Sequence, residues 1–228
     1  VSMSSRNAKA VVLAGVAEVA KALGNAHRVE ILELLAQGEK GVEALASRAG
    51  LSVANASQHL RLMRGAGLLT SRRAGKQVLY QVSDRSVIDT LMALRRVAER
   101  NLAAVREALG GYFHERDSME PVSREELARR LRDGLVTLID VRPEDEYEAG
   151  HLPGSISIPL GELAHRLRDF PKHLEIVAYC RGPYCVFAFE AVALLRDNGF
   201  RVRRLEDGYP EWRAAGLRVE YGSSGQAA

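Results

Sequence analysis

The hydrophobic pattern of the chain changes in character near residue 117. Before that point, apolar residues recur at helical spacing in segments that glycines separate, at Gly24, Gly38 and Gly50. After it, short apolar runs alternate with helical segments, a pattern typical of a mainly parallel sheet covered by helices on both faces. The 228 residues suffice for two hydrophobic cores. We therefore predict two domains, mainly α over residues 1–117 and α/β over residues 118–228.

The first half contains two short helical segments joined by a tight turn. Residues 42–50 form the first, and Ser52 is a candidate N-cap for the second, Val53 to Gly65. The spacing of Ala56, Leu60 and Met63 places these side chains inward and leaves the opposite face polar. Such a pair predicts a helix-turn-helix, whose second helix can enter a DNA major groove.

A hairpin and two long apolar helices flank this motif. Alternating residues predict strands at Leu68 to Arg73 and Gln77 to Ser83, which Ala74-Gly75-Lys76 joins in a tight turn. A helix over residues 8–23 is apolar nearly all round, and a long helix from Asp84 to about Leu109 has an apolar stripe. Both helices predict packing against a second copy of the chain, as a homodimer.

The second half is predicted to contain four strands and four helices, after a linker at Gly110, Gly111 and residues 114–120. The small polar residues from Gly222 to Ala228 predict a disordered tail. The predicted strands span Leu135 to Val141, Ser155 to Ile158, Glu175 to Tyr179 and Arg201 to Leu205; the predicted helices span Arg124 to Arg132, Leu160 to Leu167, Val186 to Asn198 and Pro210 to Ala214.

Charge divides the chain in the same way as the hydrophobic pattern. Residues 1–117 hold 17 basic and 11 acidic side chains, a net charge of +6, whereas the remainder holds 15 and 18, a net charge of −3. The stretch between Ala44 and Ser83 has no acidic residue, which favours contact with a polyanion; a solvated cationic face is the alternative. The sequence shows neither a membrane span nor an export signal, so we expect a cytoplasmic protein with no membrane partner.

Residues 8–109 resemble the ArsR/SmtB family of winged-helix repressors. The resemblance rests on Leu51-Ser52, Asn55, Ser57 to Leu60, Leu62-Met63 and Ala66 to Leu69, followed by a basic hairpin and a long last helix. It implies a homodimer that binds a double-stranded DNA operator. By position, the predicted base contacts are Asn55, Ser57, Gln58 and His59, and the predicted phosphate contacts are Arg61, Arg64, Arg72, Arg73 and Lys76.

Two of these predictions have structural alternatives. His59 could instead cap or pack within the motif, and the wing arginines could form a solvated hairpin tip. The lack of a nearby compensating acid favours phosphate contact for the wing. Metal sensing, frequent in this family, is not expected, because residues 42–48 contain no cysteine and residues 84–109 no histidine. We predict no metal site and no cofactor.

Residues 118–221 resemble a rhodanese domain, the sulfurtransferase fold. The matching segments are Leu138 to Arg142, Glu146 to Ser155 with Ile158-Pro159, Val177 to Cys180, and Asp207 to Trp212. The resemblance implies that Cys180 accepts sulfur as a persulfide, with Arg181, Gly182, Pro183 and Tyr184 forming its loop. A thiolate at a helix N-terminus beside Arg181 is stabilised, although an unreactive buried cysteine is the alternative. Phosphatases of a related fold need an arginine where this chain has Val186, which disfavours phosphoryl or arsenate chemistry.

Cys185 is the second of the two cysteines in the chain. It could resolve a persulfide on Cys180 as a disulfide or polysulfide, or it could be a small apolar residue at the helix start. We predict a repressor that senses reactive sulfur through Cys180, with thiosulfate or a polysulfide as the small sulfur donor. The alternatives are a thiosulfate-type sulfurtransferase that also binds DNA, and a rhodanese domain kept only for dimerisation or docking.

Overall fold

The computed structural model describes residues 5–113 and 121–222, and the chain divides into two compact units, Val1–Leu91 and Met92–Ala228. The predicted boundary at residue 117 and most of the predicted linker, residues 114–120, lie outside the described residues, as does nearly all of the predicted tail. The division falls inside one helix, Arg85–Asn101, so the two ends of that helix belong to different units.

The first unit is mainly helical and contains a small antiparallel sheet of order β1-β3-β2. Its core gathers Ile31, Leu32, Leu45, Leu60 and Met63, all fully buried. The elements are α1 Ser5–Leu23, α2 Ala26–Ala36, β1 Lys40–Gly41, α3 Val42–Arg48, α4 Val53–Gly65, β2 Leu69–Ala74, β3 Gln77–Val82 and the start of α5 Arg85–Asn101.

Of the two predicted long helices, the first is present as α1 and the second is interrupted. Most of α1 is exposed within the chain, including Val12 and Val16, and only its last residues, Ala22 and Leu23, are buried. The single helix predicted to Leu109 is wrong, because α5 ends at Asn101 and Leu102 adopts an extended backbone before α6 Ala103–Ala108. A π-helical turn, Leu109–Phe113, follows α6.

The second unit holds a parallel four-stranded sheet of order β5-β4-β6-β7. Alternate strand residues enter two separate core clusters, one with Ile176 and Ala178 and one with Val177 and Tyr179, which confirms a sheet covered on both faces. Its elements after the π-helical turn are α7 Arg124–Arg132, β4 Val136–Asp140, α8 Glu144–Glu148, β5 Ile156–Ser157, α9 Leu160–Leu163 with a 3-10 turn Ala164–Asp169, β6 Glu175–Tyr179, α10 Val186–Asp197, β7 Val202–Arg204 and α11 Tyr209–Ala214.

The predicted fold class is confirmed for both halves. Strand β6 has the predicted bounds, and the other predicted strands of the second half are shorter by one residue at each end. Three of the described elements were not predicted: β1, α8 and the π-helical turn, which includes Gly110 and Gly111 of the predicted linker. Each is five residues or shorter, a length at which apolar periodicity gives little signal.

Candidate functional site

Helix α4 presents a polar face that the rest of the first unit leaves open. The Ser52 Oγ accepts a hydrogen bond from the Asn55 backbone N–H at 3.2 Å, which caps the helix N-terminus. Ala56, Leu60 and Met63 are fully buried, and Leu60 and Met63 lie in the core of the first unit. The candidate base contacts lie on the remaining faces: Asn55 and Gln58 are exposed, and Ser57 and His59 are half-buried.

His59 faces α2 as well as solvent. Its ring centroid lies 6.1 Å from that of His27, and its Nδ1 is buried with no hydrogen-bond partner among the described residues. Burial lowers the pKa of His59, and the positive charges of Arg28 and of protonated His27 lower it further. The imidazole is therefore neutral near neutral pH. This position favours the packing alternative, and a base contact by His59 stays a prediction.

The β2–β3 hairpin forms the basic wing. Ala74 pairs with Gln77, and Gly75 supplies the positive φ of 60° that the turn between them requires. Arg73 and Lys76 are exposed near its tip.

The expectation that no nearby acid compensates the wing arginines is wrong for Arg72. Strand β1 pairs with β3 and brings Glu39 to the wing, where its carboxylate binds Arg72 through two hydrogen bonds, one of 2.8 Å from the Arg72 Nε. This hydrogen bonding lowers the pKa of Glu39. Arg72 thus has a compensating acid that the acid-free stretch did not reveal, because the pairing of β1 with β3 is long-range.

The remaining basic side chains of this surface are differently placed. Arg64 donates a hydrogen bond to the Ser71 Oγ at 3.3 Å. Within residues 5–113 and 121–222, Arg61, Arg64, Arg73 and Lys76 take part in no ion pair and are exposed. These four uncompensated cations lie on α4 and the wing.

Cys180 and Cys185 meet at the carboxyl end of the central strand β6. Cys180 follows the strand directly and is 1% exposed, in the core cluster under α10. Cys185 is half-buried and immediately precedes α10. A disulfide joins the two sulfurs, with 6.1 Å between the Cα atoms. Residues 181–184 form the intervening segment, which we call the sulfur loop.

Arg181 is oriented by a buried acid. Its Nε and Nη2 donate to the two carboxylate oxygens of Glu146 at 2.9 and 2.8 Å, and its guanidinium lies over the Phe187 ring. Glu146 is fully buried. A bidentate pair of this kind fixes the guanidinium plane. The predicted charge effect of Arg181 on a Cys180 thiolate stays a prediction.

The backbone of the sulfur loop packs against the segment before α11. The Gly182 carbonyl accepts a hydrogen bond from the Cys185 N–H at 3.1 Å, and the Cys180 carbonyl accepts one from the Tyr209 N–H at 3.1 Å. A Cβ on Gly208 would lie 2.3 Å from the Gly182 nitrogen, so glycine is required for this close approach.

A buried ion pair supports the strand next to β6. Asp140 and Arg142 are fully buried and 2.6 Å apart, and the Arg142 Nη2 also donates to the Gly150 carbonyl at 2.8 Å. The guanidinium lies over the Tyr209 ring. Burial acts to lower the pKa of Arg142, but the Asp140 carboxylate outweighs it and holds this pKa above its ordinary value. Arg142 therefore remains charged in the core.

Glu99, Arg95 and Glu211 lie near the sulfur loop and were not among the predicted site residues. Tyr184 donates a hydrogen bond to Glu99, and Arg95 forms an ion pair of 2.8 Å with Glu211, which is 3% exposed. Burial raises the pKa of Glu211, and Arg95 partly opposes this rise. Glu211 belongs to a segment that the rhodanese resemblance contained. Arg95 and Glu99 gave no such signal, because they precede the domain by many residues.

The described residues meet neither the requirements of a membrane-spanning helix nor those of a metal site with three or more His, Cys, Asp or Glu ligands. No helix among the described residues is both long and apolar enough to cross a membrane. Within the same parts of the chain, His, Cys, Asp and Glu form no group of three or more that could hold a metal ion.

Comparison with known proteins agrees with both halves of the fold. The model of the bacterial regulatory proteins of the arsR family matches residues 25–71, and the model of the rhodanese-like domain matches residues 123–215. The HTH-type transcriptional regulator Rv0324 of Mycobacterium tuberculosis is 45% identical over 94% of this chain and 94% of its own length.

Two further relatives cover one half each. A protein named sulfurtransferase from Allochromatium vinosum is 31% identical over 43% of this chain and 92% of its own length. The solution structure of the homodimeric winged helix-turn-helix domain of Mb0332 from Mycobacterium bovis has 38% identity and a TM-score of 0.41, covering 46% of this chain and 94% of that one. From the arsR-family match and the similarity to Rv0324 over most of both chains, the chain belongs to the ArsR family of HTH-type transcriptional regulators and joins a rhodanese-like domain to the winged helix.

Proposed function

We propose that this regulator responds to sulfane sulfur through Cys180 and Cys185. The observation that carries the proposal is that the two cysteines of the chain meet across the sulfur loop and are joined as a disulfide. Cys180 occupies the position at which rhodanese domains accept sulfur. A cysteine pair within one short loop can exist as two thiols or as a disulfide, and these two states give the signal.

The chemistry has two steps. With thiosulfate as donor, the Cys180 thiolate attacks the outer sulfur, the S–S bond of the donor breaks, and sulfite leaves with the electron pair. The Cys185 thiolate then attacks the Cys180 Sγ, the bond to the added sulfur breaks, and hydrosulfide leaves with the electron pair. Two thiols are oxidised to the disulfide, and the sulfane sulfur is reduced to sulfide. A polysulfide reacts in the same way, and a shorter polysulfide leaves instead of sulfite.

The DNA contacts follow from the exposed face of α4 and the wing. We assign base contacts to Asn55, Ser57 and Gln58, and phosphate contacts to Arg61, Arg64, Arg73 and Lys76. Arg72 is left out because Glu39 compensates its charge. The partner is a double-stranded DNA operator, on which phosphate contacts fix the position of the protein and base contacts give the sequence preference.

The exposed apolar side of α1 supports a homodimer. Val11, Val12, Leu13 and Val16 are each more than half exposed within the chain. These side chains lie on two neighbouring turns of the helix, and monomeric proteins rarely expose large apolar side chains grouped in this way. A second copy of the chain is the proposed occupant, since dimers place two recognition helices at half-sites one DNA turn apart.

The wing contacts predict a defined salt dependence. Replacing Arg73 or Lys76 by alanine is expected to reduce the slope of log K against log salt concentration by about 1, because one counterion fewer is released. The probe is a duplex selected from a random-sequence library by the reduced wild-type protein. Arg132→Ala, on α7, is the control and leaves the slope unchanged. If both wing variants keep the full wild-type slope, the wing does not contact the DNA phosphates.

The sulfur response is tested with the reduced full-length protein. We expect thiosulfate or inorganic polysulfide to remove two hydrogens from the intact mass and to release one hydrogen sulfide per chain. Cys185→Ser is expected to stop at the persulfide, with a gain of one sulfur atom, and Cys180→Ser is expected to take up none. The affinity of the wild type for the selected duplex changes at least fivefold, within the usual range of coupling between sites.

Two results would overturn this proposal in different ways. Repeated conversion of thiosulfate and cyanide to thiocyanate by Cys180, with unchanged DNA affinity, indicates a sulfurtransferase that also binds DNA. No reaction of Cys180 with any sulfur donor indicates a domain that serves only dimerisation or docking.

A further inference from the structure

Helix α5 makes contact with the sulfur loop at two places. Tyr184 of the loop donates its hydroxyl proton in a hydrogen bond to the Glu99 carboxylate, in the last turn of α5. Burial raises the pKa of Tyr184, and the hydrogen bond to Glu99 raises it further, so the phenol stays protonated and remains a donor. The loop is therefore attached to α5 by a side chain that lies next to Cys185 in the sequence.

The second contact runs through Glu211. Its Oε2 accepts the Gly208 N–H at 3.1 Å, and its Oε1 accepts a hydrogen bond from the Arg95 Nη1 at 2.8 Å. Gly208 lies directly against the backbone of Gly182, and a Cβ on Gly182 would be 3.5 Å from the Arg95 Nη1. If Gly182 moves in the direction of its absent side chain, it therefore contacts both Arg95 and Glu211.

The other end of the same helix lies in the first unit. Val87, Ile88 and Leu91 of α5 are buried, and Val87 and Leu91 belong to the core that also holds Leu60 and Met63 of α4. Residues Arg85–Asn101 form one uninterrupted helix. The helix that contacts the sulfur loop near its C-terminus is therefore the same one that contributes Val87 and Leu91 to the core of the first unit.

The surroundings of the sulfur loop leave room for it to change position. A cavity of about 420 Å³ is lined by Arg95, Glu99, Pro183, Tyr184 and Glu211, among others. Reduction of the disulfide removes the covalent constraint that holds residues 181–184 between the two sulfurs.

We propose that Glu99 and Arg95 read the state of the sulfur loop and that this state sets how firmly the second half of α5 is held. This inference rests on the proposed function only for the identity of the signal. In the disulfide state Tyr184 binds Glu99 and α5 is held at its second half; in the dithiol state this bond is lost. Glu99 and Arg95 act through the loop and are positioning residues, without contact with the reacting sulfurs.

The experiment compares amide hydrogen exchange in the disulfide and dithiol forms of the full-length protein. We expect the amides of residues 92–101 to exchange about tenfold to a hundredfold faster in the dithiol form, the effect of losing one hydrogen bond to a charged group. In Tyr184→Phe and Glu99→Gln the disulfide form already exchanges at the fast rate, and the difference between the two forms disappears. Tyr221→Phe and Glu107→Gln are the exposed control variants and keep the wild-type difference.

The outcomes separate this inference from the proposed function. Equal exchange of residues 92–101 in both forms of the wild type, or a full wild-type difference in Tyr184→Phe, would overturn the proposed link between the sulfur loop and α5. Both forms are prepared with a dithiol reductant and a chemical oxidant, so the measurement needs neither DNA nor a sulfur donor. A protein that shows the exchange difference but takes up no sulfur keeps the link and loses the proposed signal.

Discussion

Replacing Asp140 by alanine is expected to lower the free energy of unfolding of the rhodanese-like unit by about 3–5 kcal/mol, the usual cost of breaking a buried ion pair. Asp140 and Arg142 are both fully buried, so the substitution leaves a guanidinium in the core without its counter-charge. The Arg142 hydrogen bond to the Gly150 carbonyl remains, but a neutral carbonyl does not compensate a buried charge.

Urea denaturation followed by tryptophan fluorescence measures this effect. Trp212 is the single tryptophan of the chain and is buried in the second unit, so its emission reports the unfolding of that unit. Asp133→Ala, at the exposed C-terminus of α7, is the matched control and is expected to change the free energy by less than about 0.5 kcal/mol. A loss below about 1 kcal/mol for Asp140→Ala would show that the pair is not the electrostatic support inferred from its burial.

Replacing Gly208 by alanine is expected to slow sulfur transfer to Cys180 by about 100-fold, because misplacement of a reacting group by about 1 Å has an effect of this size. The new Cβ would lie 2.3 Å from the Gly182 nitrogen and 2.5 Å from the Arg181 carbonyl carbon. These are backbone atoms and cannot rotate away, so the sulfur loop itself must shift. The crowding also destabilises the unit by about 1–3 kcal/mol.

The rate of persulfide formation in a Cys185→Ser background isolates this step, since the product is then retained. Gly161→Ala is the control, because Gly161 lies in α9 with no atom within 4 Å of the added Cβ. We expect the wild-type rate for this variant. Equal rates for Gly208→Ala and the wild type would mean that the loop position does not limit the reactivity of Cys180.

The elements that were predicted well have strong periodicity or clear end signals. Ala56, Leu60 and Met63 recur at helical spacing between Ser52 and Gly67, and the observed α4 has the predicted bounds. Strand β6 is a continuous apolar run in the centre of the sheet and also has its predicted bounds. The long helix was predicted less well, because its apolar stripe continues past Leu102, where the backbone becomes extended.

Contacts between residues far apart in the sequence could not be predicted in the same way. Glu39 lies outside the acid-free stretch, and only the pairing of β1 with β3 brings it to Arg72. Tyr184 and Glu99 are 85 positions apart. Neither local periodicity nor a motif connects such residues, because their proximity depends on how separate elements pack.

The sequence by itself determined that the chain has a helix-turn-helix half and an α/β half, and that its two cysteines lie five positions apart after a buried strand. Local order and apolar spacing suffice for this, because secondary structure and short loops depend on neighbouring residues. The tertiary structure alone decided that Arg72 is compensated by Glu39 and that the sulfur loop is bound to α5 by Tyr184 and Glu99. These contacts arise only when the strands pair and the helices pack, since folding brings distant side chains within hydrogen-bonding distance.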